Sequence, residues 1–274
     1  MGRKSDNKCG DRRNLLELKE VMLMFRLYLK NTILSPSMAF AVAGLYLSMI
    51  VSGWPLGNSD LLYNFQATIS LGFTAFFIPA VSVIPICYFQ YNLLSGKTLQ
   101  YYLIRTKKTN YFFSACGGAV LSGAVVMILA FILFSITCLI YSPIGPPHIG
   151  DGLFSNNSLF YSELAKYPIL SYLLNGFVFA MNGTIWPMLS LMCFSFTSNR
   201  YVVVALPFVV RTIVGYFAQS CQIYPLDPAQ LLLKGIAREW VGGGIPYLLL
   251  YVGCLIMFTM GIFLFFEYRR LADG

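Results

Sequence analysis

Six long apolar stretches divide the chain, and polar or basic segments separate them. The apolar stretches are Pro36 to Ser52, Ala67 to Phe89, Phe112 to Tyr141, Pro168 to Phe196, Tyr201 to Ser220 and Ile245 to Phe266. A helix needs about 20 mostly apolar residues to cross about 30 Å of hydrocarbon, so each stretch predicts one membrane-spanning helix. Prolines such as Pro79 and Pro187 fall inside these stretches, and membrane bundles tolerate them because neighbouring groups satisfy the freed carbonyls.

Two shorter stretches are amphipathic without being long enough to span. In Arg13 to Asn31, apolar residues recur at helical spacing between basic ones, which predicts a helix lying in the membrane surface. An extension of the first span into the cytosol remains the alternative. Ala229 to Trp240 follows two prolines and ends at three glycines, which predicts an interfacial or re-entrant half-helix before the last span.

The basic residues predict the orientation of the spans. If the N-terminus is cytoplasmic, 15 of the 19 Lys and Arg lie on the cytoplasmic side, and only Lys166, Lys234 and Arg238 lie on the opposite side. Cytoplasmic loops carry such an excess of positive charge. With an even number of spans, both termini are then cytoplasmic. The net charge of +8 therefore indicates contact with anionic headgroups, and no nucleic-acid partner is expected.

Composition agrees with this topology. The chain is 57% hydrophobic and only 11% charged, whereas soluble proteins carry about a quarter charged residues. We therefore predict an all-α, multi-pass protein of the lipid bilayer. Residues 1–34 form a cytoplasmic N-terminus, and residues 35–274 form one six-span domain. Its connections are a cytoplasmic loop over 90–111, an outer loop over 142–167 and the half-helix region over 221–244.

Part of the cytoplasmic loop looks like a nucleotide-binding motif. Leu93 to Thr98 reads LLSGKT, but Tyr91 occupies the position where a P-loop needs its first glycine. The motif also belongs between a buried strand and a helix of a soluble α/β domain, for which the six spans leave no room. We therefore predict no ATP site in this chain. The residues after Ser95 include leucines and tyrosines and end in basic residues. This pattern predicts either a short helix that transmits motion as a lever or an ordinary basic loop.

Arg211 is the one ionisable residue placed deep in a predicted span. It lies about 16 Å beyond Arg200 along a helix, near the midplane of the membrane. Two interpretations are open: a contact with an anionic substrate or partner chain, or a structural hydrogen bond at a helix break near Pro207. Small residues four apart, such as Ala39 and Ala43, permit close approach of helices.

Candidate catalytic and metal sites are not predicted. The spans hold no histidine and no acidic residue, which argues against an intramembrane hydrolase. The single histidine, His148, lies beside Asp151 without a second nitrogen or thiolate at ligand spacing. A stand-alone secondary transporter is the alternative function, although inverted repeats and coupling-ion residues are not evident.

The order of these features resembles a known family. An interfacial helix, a basic helix between spans two and three, and a half-helix introduced by YPLDPAQLLL are similar to the permease subunit of the second export class of ATP-binding-cassette transporters. That class includes drug, bacteriocin and polysaccharide exporters. The resemblance covers the whole chain but has few fixed residues.

The resemblance implies that this chain acts together with other subunits, each of which has a separate role. A coupling helix would dock on a separate ATPase subunit, which would hold the ATP and Mg, so this chain needs no cofactor and does no covalent chemistry. By position, the docking residues are Leu94, Ser95, Gly96, Lys97, Thr98, Leu99, Gln100 and Tyr101. A second permease would complete the path, with Arg211, Ala39 and Ala43 near the seam. The expected cargo is a small hydrophobic or amphipathic peptide, antibiotic or lipid exported across the cell membrane.

Overall fold

The structure is a computed structural model that describes residues 22–23, 25–53, 61, 64–65, 68–69, 74–95, 108–141, 167–223 and 244–272. In that part of the chain, residues 25–33 are helical. The longer helices are α1 (Pro36–Gly53), α2 (Thr74–Ser82), α3 (Ile84–Ser95), α4 (Lys108–Tyr141), α5 (Pro168–Phe194), α6 (Arg200–Ser220) and α7 (Gly244–Ala272). No strand occurs among these residues.

Among the described residues, six helical segments are long and apolar enough to cross a membrane. Helices α2 and α3 together provide the second of them, and each other helix provides one. The prediction of helices for six spans is therefore confirmed in length and composition for the described residues, and most of the predicted span limits agree with these helices within a few residues. The predicted half-helix over Ala229 to Trp240 and the first part of the amphipathic stretch lie outside the described residues.

The helix of the second span is interrupted at Val83, between α2 and α3. Pro85 has no backbone N–H to donate to the preceding turn, and a proline disfavours helical geometry in the residue before it. Backbone hydrogen bonding resumes when the Cys87 amide donates to the Val83 carbonyl at 2.9 Å. The side chain of Val83 is fully buried, so the interruption lies in the core of the bundle.

Helix α5 is the centre of the bundle. It packs against α2, α3, α4, α6 and α7, whereas α1 packs against α2, α3 and α4. Of the span that α5 provides, 78% is buried inside the protein, compared with 17% for the spans of α6 and α7. The peripheral spans therefore present most of their surface outward.

Glycines let α4 and α5 approach each other closely. A Cβ atom on Gly123 would overlap the backbone carbonyl of Gly183, and one on Gly183 would overlap the side chain of Met127. Further along the same crossing, the ring of Phe131 lies against Gly176. Small residues allow this backbone proximity, which lets van der Waals contacts hold membrane helices together.

Side-chain hydrogen bonds join neighbouring spans along the bundle. They link Tyr46 with Thr137 at 2.8 Å, Ser52 with Thr74 at 3.1 Å, Cys87 with Ser190 at 2.8 Å and Ser135 with Tyr172 at 2.6 Å. Such bonds contribute on average about 0.6 kcal/mol each in a membrane bundle. They also fix which residues of adjacent helices lie opposite each other.

Contacts between the spans define two ends of the bundle. We call the end at which α3 finishes and α4 begins the connection end. Phe112 of α4 contacts Phe263 of α7 there, with ring centroids 5.9 Å apart, and Arg200 of α6 lies 5.3 Å from the Tyr91 ring of α3. Of the seven described Lys and Arg, all except Arg211 are at this end: Arg26, Lys30, Lys108, Arg200, Arg269 and Arg270.

The crossing of α4 and α5 gives a direct test of the fold. Gly123→Val places side-chain atoms against the Gly183 backbone, which cannot rotate away, so we expect destabilisation of about 2 kcal/mol or more. The measurement is the thermal unfolding of the purified protein in detergent. Gly253→Val is the matched control, because a Cβ at Gly253 meets no atom within 4 Å. Equal stability of the two variants would contradict the crossing.

Candidate functional site

Three buried polar side chains form a hydrogen-bonded relay at the connection end. The Tyr28 hydroxyl donates to Gln90 Oε1 at 3.1 Å, and Gln90 Nε2 donates to the Tyr111 hydroxyl at 2.8 Å. Tyr28 is 1% exposed, and Gln90 and Tyr111 are fully buried. We call these three residues the polar junction. It joins the helical residues 25–33 to α3 and α4, the two helices that flank the 96–107 connection.

Two glycines of α4 hold the segment before the first span. A Cβ on Gly117 would lie 2.8 Å from the Phe25 ring, and one on Gly118 would lie 3.0 Å from the Tyr28 ring. Tyr28 also packs edge-on against Phe89 of α3, with ring centroids 4.6 Å apart. Larger residues at Gly117 or Gly118 would separate the segment from α4. The glycine pair therefore sets the position of Tyr28 in the polar junction.

Local hydrogen bonds account for the turn of the chain between this segment and α1. Thr32 Oγ1 donates to the Tyr28 carbonyl at 2.7 Å near the end of the segment. Ser35 Oγ then accepts from the Met38 amide at 3.3 Å, and Pro36 begins the helix, which matches the usual pattern of a helix N-terminus. Residues 25–33, which include the last part of the predicted amphipathic stretch, are helical, and a turn at Leu34 and Ser35 separates them from α1.

The exposed side of this segment is both apolar and basic. Arg26 and Lys30 are exposed, as are Met22 and Leu23, while Tyr28 is buried against the bundle. The segment therefore uses its inner face to complete the junction. Its outer face keeps the cationic character that the sequence predicts.

The predicted docking residues divide between a helix and the connection. Leu94 and Ser95 form the end of α3, whereas Gly96, Lys97, Thr98, Leu99, Gln100 and Tyr101 lie outside the described residues. Both ends of the loop predicted over 90–111 are helical in the structure: residues 90–95 belong to α3 and residues 108–111 to α4. Gln90 belongs to α3 and Tyr111 to α4, and Gln90 Nε2 donates to the Tyr111 hydroxyl inside the core.

Both helix ends beside the connection are anchored in one apolar cluster. Leu93 of α3 and Phe112 of α4 are buried together with Tyr28, and Met188 of α5 belongs to the same cluster. The helix ends are thus held by apolar packing as well as by the polar junction. A displacement of either end would disturb contacts that reach the central helix.

The role of Gln90 is not evident from the sequence. Its one local signal is an amide in an apolar stretch, between Cys87 and Leu93, since a membrane interior requires a partner for such a group. The partners Tyr28 and Tyr111 lie 62 and 21 residues away along the chain. Tyrosines at such separations cannot be paired from sequence spacing alone.

Arg211 connects α6 to the second span. Its guanidinium carbon lies 4.7 Å from the centroid of the Phe76 ring of α2, within the range of a cation–π contact. Helix α6 continues without a break through Pro207. Arg211 is partly buried.

The predicted small-residue pair lies on a different helix. Ala39 and Ala43 are on the exposed side of α1, next to Phe40, which is 75% exposed. A Cβ at Gly44 of the same face meets no atom within 4 Å. The pair therefore lies on the outward side of α1 in the described part of the chain. Helices α1 and α6 both pack against α2, which lies between them.

Metal chemistry has no candidate in the described part of the chain. No group of three His, Cys, Asp or Glu side chains there could hold a metal ion. His148 and Asp151 lie outside the described residues. The polar junction is a buried, hydrogen-bonded polar feature on which a functional role can rest.

The hydrogen bonds of the junction predict a measurable loss of stability. Tyr28→Phe removes the donor to Gln90 Oε1 and leaves a buried acceptor unpaired, which costs about 1–3 kcal/mol. The measurement is again thermal unfolding in detergent. Tyr216→Phe removes an equivalent hydroxyl from a side chain that is 76% exposed and should change stability little. If both variants unfold alike, the relay does not stabilise the fold.

Comparison of the chain with protein-family models, with curated proteins and with solved structures finds no match in any of the three.

Proposed function

We propose that this chain is the permease subunit of an ATP-binding-cassette exporter of the second export class, with ATP hydrolysed by a separate subunit. The observation that carries the proposal is the polar junction. Tyr28, Gln90 and Tyr111 tie together the helices on both sides of the 96–107 connection, where the ATPase subunit would dock. The alternative is a transporter that works without an ATPase.

The proposed mechanism transmits motion through the helix ends. Closure of the ATPase pair would move the docking residues from Leu94 to Tyr101. Since α3 and α4 share the junction and one apolar cluster, both would move together instead of the connection bending alone. The interruption of the helix at Val83 would provide a position at which the inner part of span two can move relative to the outer part.

The proposed orientation places the connection end in the cytoplasm. The six basic residues described at that end support this assignment, because positive charge is retained on the cytoplasmic side of a membrane. Helix α7 also finishes there, with Arg269 and Arg270 in its last turns. The residues 25–33, with exposed Arg26 and Lys30, would then lie along the inner surface of the cell membrane.

A second permease would pack on the face that includes α1. The outward position of Ala39 and Ala43 supports this part of the proposal, because small residues favour close approach of a second helix. Arg211 is close to the same side through its contact with α2. The path between two such subunits would carry a hydrophobic or amphipathic cargo. The aromatic residues on the outward surface could contact such a cargo.

Docking can be tested by co-purification with the ATPase subunit. We expect an ATPase encoded beside this chain to co-purify with the tagged wild type and to be lost from Gly96→Pro combined with Lys97→Glu. Lys30→Glu makes the same charge change at an exposed position outside the connection and should retain the ATPase. If no ATPase associates in any mild detergent, the stand-alone transporter becomes the better hypothesis.

The junction can be tested separately from docking. Gln90→Leu removes both hydrogen bonds but leaves the docking residues unchanged, so the ATPase should still bind while cargo-dependent ATP hydrolysis falls about tenfold. The readouts are subunit stoichiometry and hydrolysis with and without cargo in nanodiscs. Unchanged stimulation in a folded Gln90→Leu complex would exclude the junction from transmission.

A further inference from the structure

A cleft of about 440 Å³ opens between the second span and the first half of α6. Most of its lining is apolar: α2 and α3 contribute Ala80 and Ile84, and α6 contributes Val204, Ala205 and Phe208. The side chains of Ala205 and Phe208 are exposed at its edge. In a membrane, a groove of this kind opens toward the acyl chains of surrounding lipids.

One end of the cleft is cationic. The guanidinium carbon of Arg200 lies 5.3 Å from the Tyr91 ring centroid and 4.9 Å from that of Tyr201, and Arg200 Nη2 donates to the Tyr201 hydroxyl at 3.0 Å. These contacts orient the Arg200 side chain. Tyr91 and Tyr201 are neutral, so the contacts do not balance the charge of the guanidinium. Arg200 itself is exposed. The arrangement presents a positioned, accessible cation at the mouth of an apolar groove.

The length of the cleft matches one membrane leaflet. Arg200 is at the start of α6, and Phe208 is about 12 Å further along the helix axis. Half of the hydrocarbon thickness of a bilayer is about 15 Å. A molecule with its charged group at Arg200 would therefore have its apolar part beside Val204 and Phe208, within the hydrocarbon.

We propose that this cleft binds one anionic phospholipid, with its phosphate at Arg200 and an acyl chain between the second span and α6. Arginine binds phosphate oxygens through two parallel N–H donors, and the neighbouring tyrosines hold its guanidinium in place. A soluble anion would satisfy the charge but leave the apolar groove unfilled. The proposal does not depend on the ATPase partner.

A lipid in this position would add contacts between the second span and α6, which already pack against each other. The span formed by α6 is only 17% buried. A bound acyl chain would cover part of both walls of the cleft, and the headgroup would bridge the start of α6 to the end of α3 through Arg200 and Tyr91. Occupancy should therefore stabilise the folded protein.

The test adds lipids to the purified full-length chain in maltoside micelles. We expect phosphatidylglycerol to raise the unfolding temperature more than phosphatidylcholine with the same acyl chains, and native mass spectrometry to detect one retained anionic lipid. Arg200→Gln should weaken phosphatidylglycerol binding about tenfold or more. Ala205→Trp, which fills the groove, should abolish it.

Matched controls separate this site from general attraction to the membrane. Arg269→Gln removes a cation that lies over Phe265 at the same end, and Leu250→Trp enlarges an exposed position on α7, so both should bind the lipid as the wild type does. Equal weakening in Arg269→Gln and Arg200→Gln would overturn the proposal. So would equal stabilisation of the wild type by the two lipids.

A measurement on the unaltered chain covers the case in which the variants fail to fold. Glycerol phosphate, which carries the anion without a tail, should leave the unfolding temperature of the wild type unchanged at a concentration where phosphatidylglycerol saturates. Increasing salt should weaken phosphatidylglycerol binding, since the Arg200 charge is exposed. Stabilisation by glycerol phosphate alone would show a soluble-anion site and overturn the lipid assignment.

Discussion

Close backbone contact between α4 and α5 underlies the arrangement of the other spans. Lipid tails are as apolar as leucine side chains, so burying apolar surface does little to bring membrane helices together. Packing has to do so, and it is strongest where Gly123 and Gly183 let two backbones meet. Helix α5 then offers its remaining faces to α2, α3, α6 and α7. The peripheral helices depend on a centre that two glycines make possible.

The polar junction depends on the membrane interior in a different way, through hydrogen bonds between polar groups instead of close packing. A lone amide inside hydrocarbon is unfavourable because water is not there to bind it. Gln90 avoids this by donating to one tyrosine and accepting from another, and each partner belongs to a different segment. A residue that would weaken an isolated span therefore specifies how three segments assemble. Gln90 thus positions the three segments relative to one another as well as stabilising them.

The number, type and approximate limits of the spans can be predicted from the sequence, because a run of about 20 apolar residues is the length that a membrane requires. Features that depend on contacts between distant residues are less accessible. Gly118 and Ser122 form a small pair in the sequence of α4, yet the close helix crossing uses Gly123 and Gly183. The polarity of Gln90 suggests a loop, whereas its buried hydrogen bonds keep it within α3. Pairing partners, unlike hydropathy, cannot be obtained from local composition.

The central position of α5 also has a consequence for biosynthesis. Chains are made from the N-terminus, and α5 is the fourth span to emerge. When α2, α3 and α4 enter the membrane, the surfaces with which they later contact α5 do not yet have that partner. The bundle therefore closes late, and incomplete chains ending before α5 would display Gly123 and the buried face of α4 to membrane quality control. Packing of the earlier spans therefore depends on translation having reached the fourth span.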